Sequence, residues 1–255
     1  MEITGLQNPV VKAAAELKQK KYRQQQGLFL AEGLRTVEEA VRYGRVQSIF
    51  YTAVEDERTR SVLEEAAAKN VKLICVSEGV MKKIADTETP QGVLAVCEMP
   101  ACSVEELLAT GKMLLVLDRV GDPGNIGTML RTADAAGLGG LVLLKGSADI
   151  YAPKTVRASM GSLFHLPVIG GVSEAELISS ARKAGYELLV TCLDGAEPPV
   201  FYLSAGEYYL IVPRYADTAL RLYRSDIETA DRELVWEDPG CRPFIIQCNV
   251  SDIFA

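Results

Sequence analysis

Arg131 and the glycines that precede it are the residues of this chain best suited, by type and spacing, to chemistry on an anion. They lie in residues 118–137, which read D-R-V-G-D-P-G-N-I-G-T-M-L-R-T-A-D-A-A-G. The apolar run Met113–Leu117 comes first and reads as a buried strand of a parallel sheet. A glycine loop then opens a helix. Asn125 is its natural N-cap, Ile126, Met129, Leu130 and Ala133 its apolar face, and Gly137 its C′ residue. Backbone N–H groups at such a helix start point toward an anion. Arg131 lies about 9 Å further along the axis at ~1.5 Å per residue, and helical side chains lean back toward the N-terminus. Its fork-shaped guanidinium therefore reaches the loop and suits a phosphate. Spacing leaves a plainer role open, a surface salt bridge from Arg131 to Asp134 or Asp118. Gly121, Gly124 and Gly127 fit neither a P-loop nor a dinucleotide fingerprint.

Other charged and nucleophilic residues are less decisive. A net charge of −7 argues against a nucleic-acid partner in general, yet the charge is uneven. Residues 1–25 hold Lys12, Lys18, Lys20, Lys21 and Arg23 against Glu2 and Glu16. Asn8 and Pro9 read as N-cap and N1 of a helix lined by Val10, Val11, Ala14 and Leu17, with the cations at its end and in the following turn. These cations suit either a nucleic acid or simply the helix dipole. Lys154 and Arg157, three apart on a short helix, are open to the same two readings. His165, the only histidine, sits in the strand-like run Leu163–Val168 and reads as structural. The six cysteines are scattered without a C-x-x-C pair, which favours reduced thiols over disulfides and no metal site. Tyr202, Tyr208 and Tyr209 read as packing residues.

The elements that must position these residues alternate. Predicted strands and helices run Leu28–Ala31, Leu34–Tyr43, Val46–Tyr51, Asp56–Lys69, Val71–Val76, Ser77–Ala85 and Gly92–Cys97, a small α/β domain. A linker follows, then a short helix with a Ser103/Glu106 capping box. After the Asn125 helix come a strand at Gly140–Leu144, a helix between Pro153 and Gly161, a strand at Leu163–Val168 and a helix capped by Ser173. Strands at Tyr186–Cys192 and Tyr208–Val212 complete a doubly wound pattern, with ligands expected at the carboxyl ends of the strands. The predicted domains are residues 1–100, a linker and short helix at 101–111, and 112–255. No run of eighteen apolar residues and no signal peptide is evident, so a soluble cytoplasmic protein without a membrane partner is expected.

The stretch from Asp118 to Val168, D-P-G-N-I-G-T-M-L-R-T-A-D-A-A-G followed by L-V-L-L-K-G-S-A-D-I-Y-A-P-K-T-V-R-A-S-M-G-S-L-F-H-L-P-V, resembles the SpoU/TrmH family of RNA ribose 2′-O-methyltransferases, within the SPOUT superfamily. I-T-G-L-Q-N-P-V-V-K, L-K-Q-K-K-Y-R and G-L-F-L-A-E-G resemble the RNA-substrate-binding domain that precedes it in many members. The resemblance implies a small L30e-like α/β domain, then a parallel-sheet α/β domain whose chain end forms a trefoil knot and which pairs as a homodimer. It implies S-adenosylmethionine as cofactor and 23S ribosomal RNA as substrate, with transfer RNA the lesser alternative. Onto this chain it carries Asn125, Arg131 and Asn249 as catalytic residues and Leu193, Gly195, Val212 and Cys248 as the cofactor pocket. Lys12, Lys20, Lys21, Arg23, Lys154 and Arg157 become the RNA-binding set. In the implied reaction Arg131 is no free base, since its pKa lies above ~12. It orients the phosphate and stabilises developing negative charge.

The tail departs from the family pattern. Where members carry G-N-E-G-x-G, this chain has Pro213-Arg214-Tyr215-Ala216-Asp217-Thr218, and of S-L-N-V-S only Asn249-Val250-Ser251 remains. Pro213 in place of glycine removes an N–H donor. Three readings stay open: an error in reading the tail, divergence with backbone contacts to the cofactor kept, or loss of methyl transfer. The last would leave a non-catalytic RNA-binding protein with the same fold.

Overall fold

The computed structural model describes residues 2–54 and 56–186, together with the backbone of three later strands, Leu210–Pro213, Leu220–Ser225 and Arg232–Asp238. Helix α1 (Pro9–Glu16) starts where the Asn8 side chain accepts the Val10 N–H at 2.9 Å, with Pro9 in the first turn, where its missing N–H costs nothing. Val11, Ala14 and Leu17 are buried as the periodicity predicts, whereas Val10 faces solvent. The basic run does not simply end this helix. Lys20–Gln26 forms a second one, α2, closed by Gly27 at φ +65°. Next come β1 (Leu28–Glu32), α3 (Leu34–Tyr43), β2 (Val46–Tyr51), α4 (Glu57–Ala68), β3 (Lys72–Cys75), α5 (Glu78–Ile84) and β4 (Val93–Glu98).

These strands form one mixed sheet in the order β1-β4-β2-β3, in which only β2 and β3 run parallel. Successive side chains of a strand face opposite ways, so β1 needs cover on both sides. Leu30 points into a core with Val11, Leu17, Phe50, Met81, Ile84 and Leu94. Phe29 points the other way, to Tyr151 at 4.9 Å and Phe164 at 6.0 Å between ring centroids.

The second half of the chain runs α6 (Val104–Leu108), β5 (Leu114–Leu117), α7 (Pro123–Ala135), β6 (Gly140–Leu144), α8 (Pro153–Ala158), a 3₁₀ turn at Ser162–Phe164, β7 (Val168–Val172) and α9 (Glu174–Lys183). The Ser103/Glu106 capping box forms as its spacing predicts. Strands β5, β6 and β7 make the expected parallel sheet. Leu107, Leu108, Leu114, Val142, Leu144, Val172, Leu177 and Ala181 build its core, closed by Tyr186, whose hydroxyl donates to Leu108 O at 2.6 Å.

Two predicted strands are corrected. Leu163–Val168 is a 3₁₀ turn and bend, and the strand begins only at Val168. Gly161 at φ +102° starts the turn, and Pro167, which has no N–H to give a ladder, precedes the strand. The segment expected at Tyr208–Val212 is β8 (Leu210–Pro213). It pairs antiparallel with β9 (Leu220–Ser225), and β9 with β10 (Arg232–Asp238), as a separate sheet and not as part of the parallel one. Nearly all of the strand expected at Tyr186–Cys192 lies outside the described residues.

The chain groups into two compact units. One holds residues up to Ala101 with Asp122–Ala135 and Ala148–Leu166; the other holds Cys102–Gly121, Ala136–Ser147 and the chain from Pro167 onward. Helices α7 and α8 and the 3₁₀ turn thus belong with the N-terminal sheet by packing, although they follow the predicted linker in sequence. Among the described residues Cys75, Cys97 and Cys102 are free thiols. No helix among them is long and apolar enough to cross a membrane.

Candidate functional site

Helix α7 carries the site, and its cap differs from the expected one. Asp122, not Asn125, is the capping residue: its Oδ1 accepts the Asn125 N–H at 2.8 Å, and Pro123 opens the helix. Proline at the first helical position fixes φ where no N–H is needed, which moves the start two residues upstream of Asn125. The Asn125 N–H bond, with Lys154 at 3.5 Å adding to it, holds the Asp122 carboxyl below the ordinary range despite partial desolvation. Asn125 therefore sits in the first turn with its side chain exposed and free of capping duty.

The buried face of α7 is Ile126, Gly127, Leu130 and Ala133. Gly127 is there for close packing. A Cβ on it would lie 2.4 Å from Ala158 Cβ and 2.7 Å from the Ala158 carbonyl carbon, so α7 and α8 touch nearly backbone to backbone. Asn125, Thr128, Arg131 and Thr132 occupy the exposed face. The two threonine hydroxyls donate back to carbonyls of the helix, Thr128 to Gly124 O at 3.0 Å and Thr132 to Thr128 O at 3.1 Å. Having donated, each hydroxyl keeps both of its acceptor lone pairs.

Both carboxylates that sequence offers to Arg131 are occupied elsewhere. Asp118 pairs with Arg119 at 2.8 Å, and Asp134 pairs with His165 at 2.9 Å. Among the described residues no hydrogen bond or ion pair engages the Arg131 guanidinium. An exposed guanidinium without a protein partner among the described residues, on a helix that also exposes an amide in its first turn, has the chemistry to take an anion.

The loops that follow β5 and β6 are joined by one hydroxyl. Ser147 Oγ donates to Leu117 O at 3.1 Å and accepts the Val120 N–H at 3.2 Å. Leu117 and Leu143 are register partners, so these loops leave adjacent parallel strands at their carboxyl ends, where open α/β sheets hold ligands. Sequence reasoning missed Ser147; its position just beyond a predicted strand was the available signal.

The sequence-selected cations divide into two groups. Lys12, Lys20, Lys21 and Lys154 are exposed. Arg23 is not: it is 3% exposed, donates to Leu17 O and Lys18 O, and pairs with Asp149 at 2.7 Å. Its role is structural, because the Leu17 and Lys18 carbonyls and the Asp149 carboxylate hold the guanidinium inward. Arg157 is half-buried between Glu32 at 3.4 Å and Asp86 at 2.9 Å. Glu32, which lies in G-L-F-L-A-E-G but was given no role there, is buried and also accepts from the Asp86 N–H at 2.8 Å and from Thr87. Lys18 and Lys83 are tied down too, Lys18 closing the end of α5 at Lys83 O and Ala85 O. Among the described residues no cluster of His, Cys, Asp or Glu is arranged to hold a metal ion. Leu193, Gly195, Cys248 and Asn249 lie outside the described residues, and Val212 is placed by backbone alone in β8.

Comparison with known proteins decides the family. Residues 112–212 match the SpoU rRNA Methylase family, and residues 8–95 match the MRM3-like substrate binding domain. A relative from Bacillus subtilis, the 23S rRNA (guanosine(2553)-2'-O)-methyltransferase RlmP, is 44% identical over 213 residues, 83% of this chain and 81% of its own length. The chain belongs to the SpoU rRNA methylase family. Solved SpoU relatives share the fold. An AdoMet-bound rRNA methyltransferase from Sinorhizobium meliloti superposes with a TM-score of 0.67 at 34% identity, covering 76% of this chain and 73% of that one. The SpoU methyltransferase AviRb from Streptomyces viridochromogenes, in complex with AdoMet, gives 0.64 at 27% identity, with 80% of each chain covered. Within this SpoU chain the family match ends at Val212, one residue before the proline that replaces the expected glycine.

Proposed function

We propose that this chain is an S-adenosylmethionine-dependent ribosomal RNA 2′-O-ribose methyltransferase, with α7 presenting the RNA-facing half of its active site. The observation that carries the site assignment is the exposed Arg131 guanidinium of α7, which has no protein partner among the described residues, on the helix whose first turn exposes Asn125. Bound S-adenosylmethionine supplies an electrophilic methyl group on a sulfonium. Arg131 grips a phosphate of the target nucleotide in a fork and fixes the ribose against rotation. Its positive charge also favours the alkoxide character that grows on the 2′-oxygen as the proton leaves to phosphate or water. Asn125, in the first turn of the same helix, gives a directional hydrogen bond, and Asn249 is its proposed counterpart from the tail.

The carboxyl ends of β5 and β6, joined by Ser147, fit a nucleoside cofactor in position, and we assign Leu193, Gly195, Val212 and Cys248 to that pocket. Lys12, Lys20, Lys21 and Lys154 supply phosphate contacts, while Arg23 and Arg157 brace the elements that carry them. A trefoil knot formed by the chain end, a homodimer through that domain and a cytoplasmic location complete the reading.

Arg131→Ala tests it. Methyl incorporation into 23S ribosomal RNA is expected to fall by at least ~100-fold, as on removal of a transition-state donor. Calorimetric affinity for S-adenosylmethionine should stay within about twofold. An equal loss of both would place Arg131 on the cofactor. A second reading, an RNA-binding protein without methyl transfer, is favoured by Pro213, whose missing N–H falls in β8 where the family has glycine. Absence of any calorimetric binding by the intact protein would establish that reading instead.

A further inference from the structure

The only histidine of the chain stands between two carboxylates from distant parts of the sequence. His165 follows the 3₁₀ turn; its Nδ1 lies 2.9 Å from Asp134 Oδ2 on α7 and its Nε2 lies 3.0 Å from Glu39 Oε2 on α3. Carboxylate oxygens only accept, so both contacts are hydrogen bonds at once only when both ring nitrogens carry protons. The ring also meets the edge of Tyr43, 4.7 Å between centroids at 82°. Gly161 makes room for this arrangement, since a Cβ there would lie 2.4 Å from Glu39 Cγ.

The charged groups around the ring can be named from each side. From α3 it meets Glu39 and Tyr43, while Glu38 and Arg42 of the same helix are bound to each other and to Arg58 and Glu65. From α7 it meets Asp134, with Arg131 one turn back. Burial of the ring opposes a positive charge, but the hydrogen bonds and charges of Asp134 and Glu39 outweigh it and hold the imidazole pKa above its ordinary value. Asp134 stands in the last turn of α7, where the helix dipole disfavours a lone carboxylate and favours a cation beside it.

Arg131 and Asp134 are three residues apart, the spacing at which an arginine and an aspartate on one helix pair with each other. In this structure they do not, because the carboxylate is turned to His165. We propose that His165 is a positioning residue for substrate binding: as an imidazolium it holds the Asp134 carboxylate away from Arg131 and so leaves the guanidinium open to an RNA phosphate. This rests on the assignment of Arg131 to the phosphate. A neutral ring has one N–H for two carboxylates, so Asp134 is released for part of the time. A released Asp134 competes with the substrate from within the helix.

The test uses the full chain as wild type, His165→Ala, Asp134→Asn and the double variant, with KM and kcat measured on 23S ribosomal RNA transcribed in vitro. His165→Ala is expected to raise KM roughly two- to fivefold with kcat nearly unchanged, from ion pairing on the helix and an unscreened carboxylate beside the phosphate. Asp134→Asn should return KM to the wild-type value in the double variant. A histidine that merely packs would give a loss that Asp134→Asn cannot relieve. In wild type KM should rise as pH rises through the imidazole titration, and in Asp134→Asn it should not. Because His165 is the sole histidine, its ring proton signals in NMR report this titration directly, and Asp134→Asn should move the midpoint down toward the ordinary value. The KM–pH profiles of wild type and Asp134→Asn keep the proposal open to refutation even if His165→Ala fails to fold. An unchanged KM in His165→Ala, an unrelieved double variant or an unmoved midpoint overturns the proposal. Retained methylation in Arg131→Ala would instead overturn the assignment of Arg131 on which it stands.

Discussion

A carboxylate close to Arg131 would occupy it much as a phosphate does, and the two that a reading of the sequence offers it are engaged with other cations. Asp118 has Arg119 and Asp134 has His165. The state of the imidazole also has a consequence for stability. The folded pKa of His165 is raised, so its stabilising contribution is complete below the ordinary imidazole range and is lost as pH rises through the folded value. Urea titrations of wild type and Asp134→Asn should therefore diverge at mildly acid pH and converge on the alkaline side; a gap independent of pH would refute the pairing. Asp122 has the opposite sign. Its folded pKa is lowered by the Asn125 N–H bond, so its contribution is present above the ordinary carboxylate value and lost as pH falls through the folded one. Asp122→Ala is expected to lower the melting temperature by roughly 2–4 °C at neutral pH, and to have no such effect once acid has protonated the carboxyl.

Helices α7 and α8 act as one piece because of a single missing side chain. Gly127 lets them approach so closely that a methyl group would overlap both Ala158 Cβ and its backbone. Gly127→Ala must therefore push α8 away or strain α7, at a cost of about 1–3 kcal/mol in chemical denaturation. Lys154 and Arg157 ride on α8, so methylation should fall as well. Wild-type stability in that variant would mean that the helices part easily. The third glycine of the motif thus serves helix packing. Gly121 is different: an added Cβ would meet nothing within 4 Å, and its replacement should be tolerated structurally.

Ion pairs, buried at Arg23 and half-buried at Arg157, tie α8 and its flanking loops to the N-terminal part of the chain. Arg23 with Asp149, and Arg157 with Glu32 and Asp86, join parts of the chain that are remote in sequence. Arg23→Ala leaves Asp149 without its partner and should cost on the order of 3 kcal/mol of stability, read as a lower denaturation midpoint. The exposed lysines should behave in the opposite way. Lys20→Ala with Lys21→Ala should leave that midpoint unchanged and flatten the salt dependence of RNA binding by about 0.7–0.9 in log–log slope for each phosphate no longer neutralised. If Arg23→Ala weakened RNA binding without unfolding the protein, and the lysine pair did nothing, the basic surface would be assigned wrongly.

The sequence by itself determined what depends on near neighbours. Apolar periodicity placed most helices and strands, Asn8, Ser103 and Ser173 declared their caps, and the run from Asp118 to Val168 was specific enough to imply the family. It also singled out Arg131 from the type of side chain and the loop before it. Tertiary structure alone decided what depends on partners far along the chain. Arg23 looked like one more lysine-rich surface cation, and only the packing of α2 turns it toward Asp149. His165 looked strand-bound, because Leu163–Val168 is apolar enough for a strand; Gly161 and Pro167 at its two ends bend it into a turn. Whether Arg131 pairs or stays open could not be read from a spacing that allows both. The fold turns Asp134 instead to His165, thirty-one residues away, and a local preference worth a few tenths of a kcal/mol is small beside such a partner.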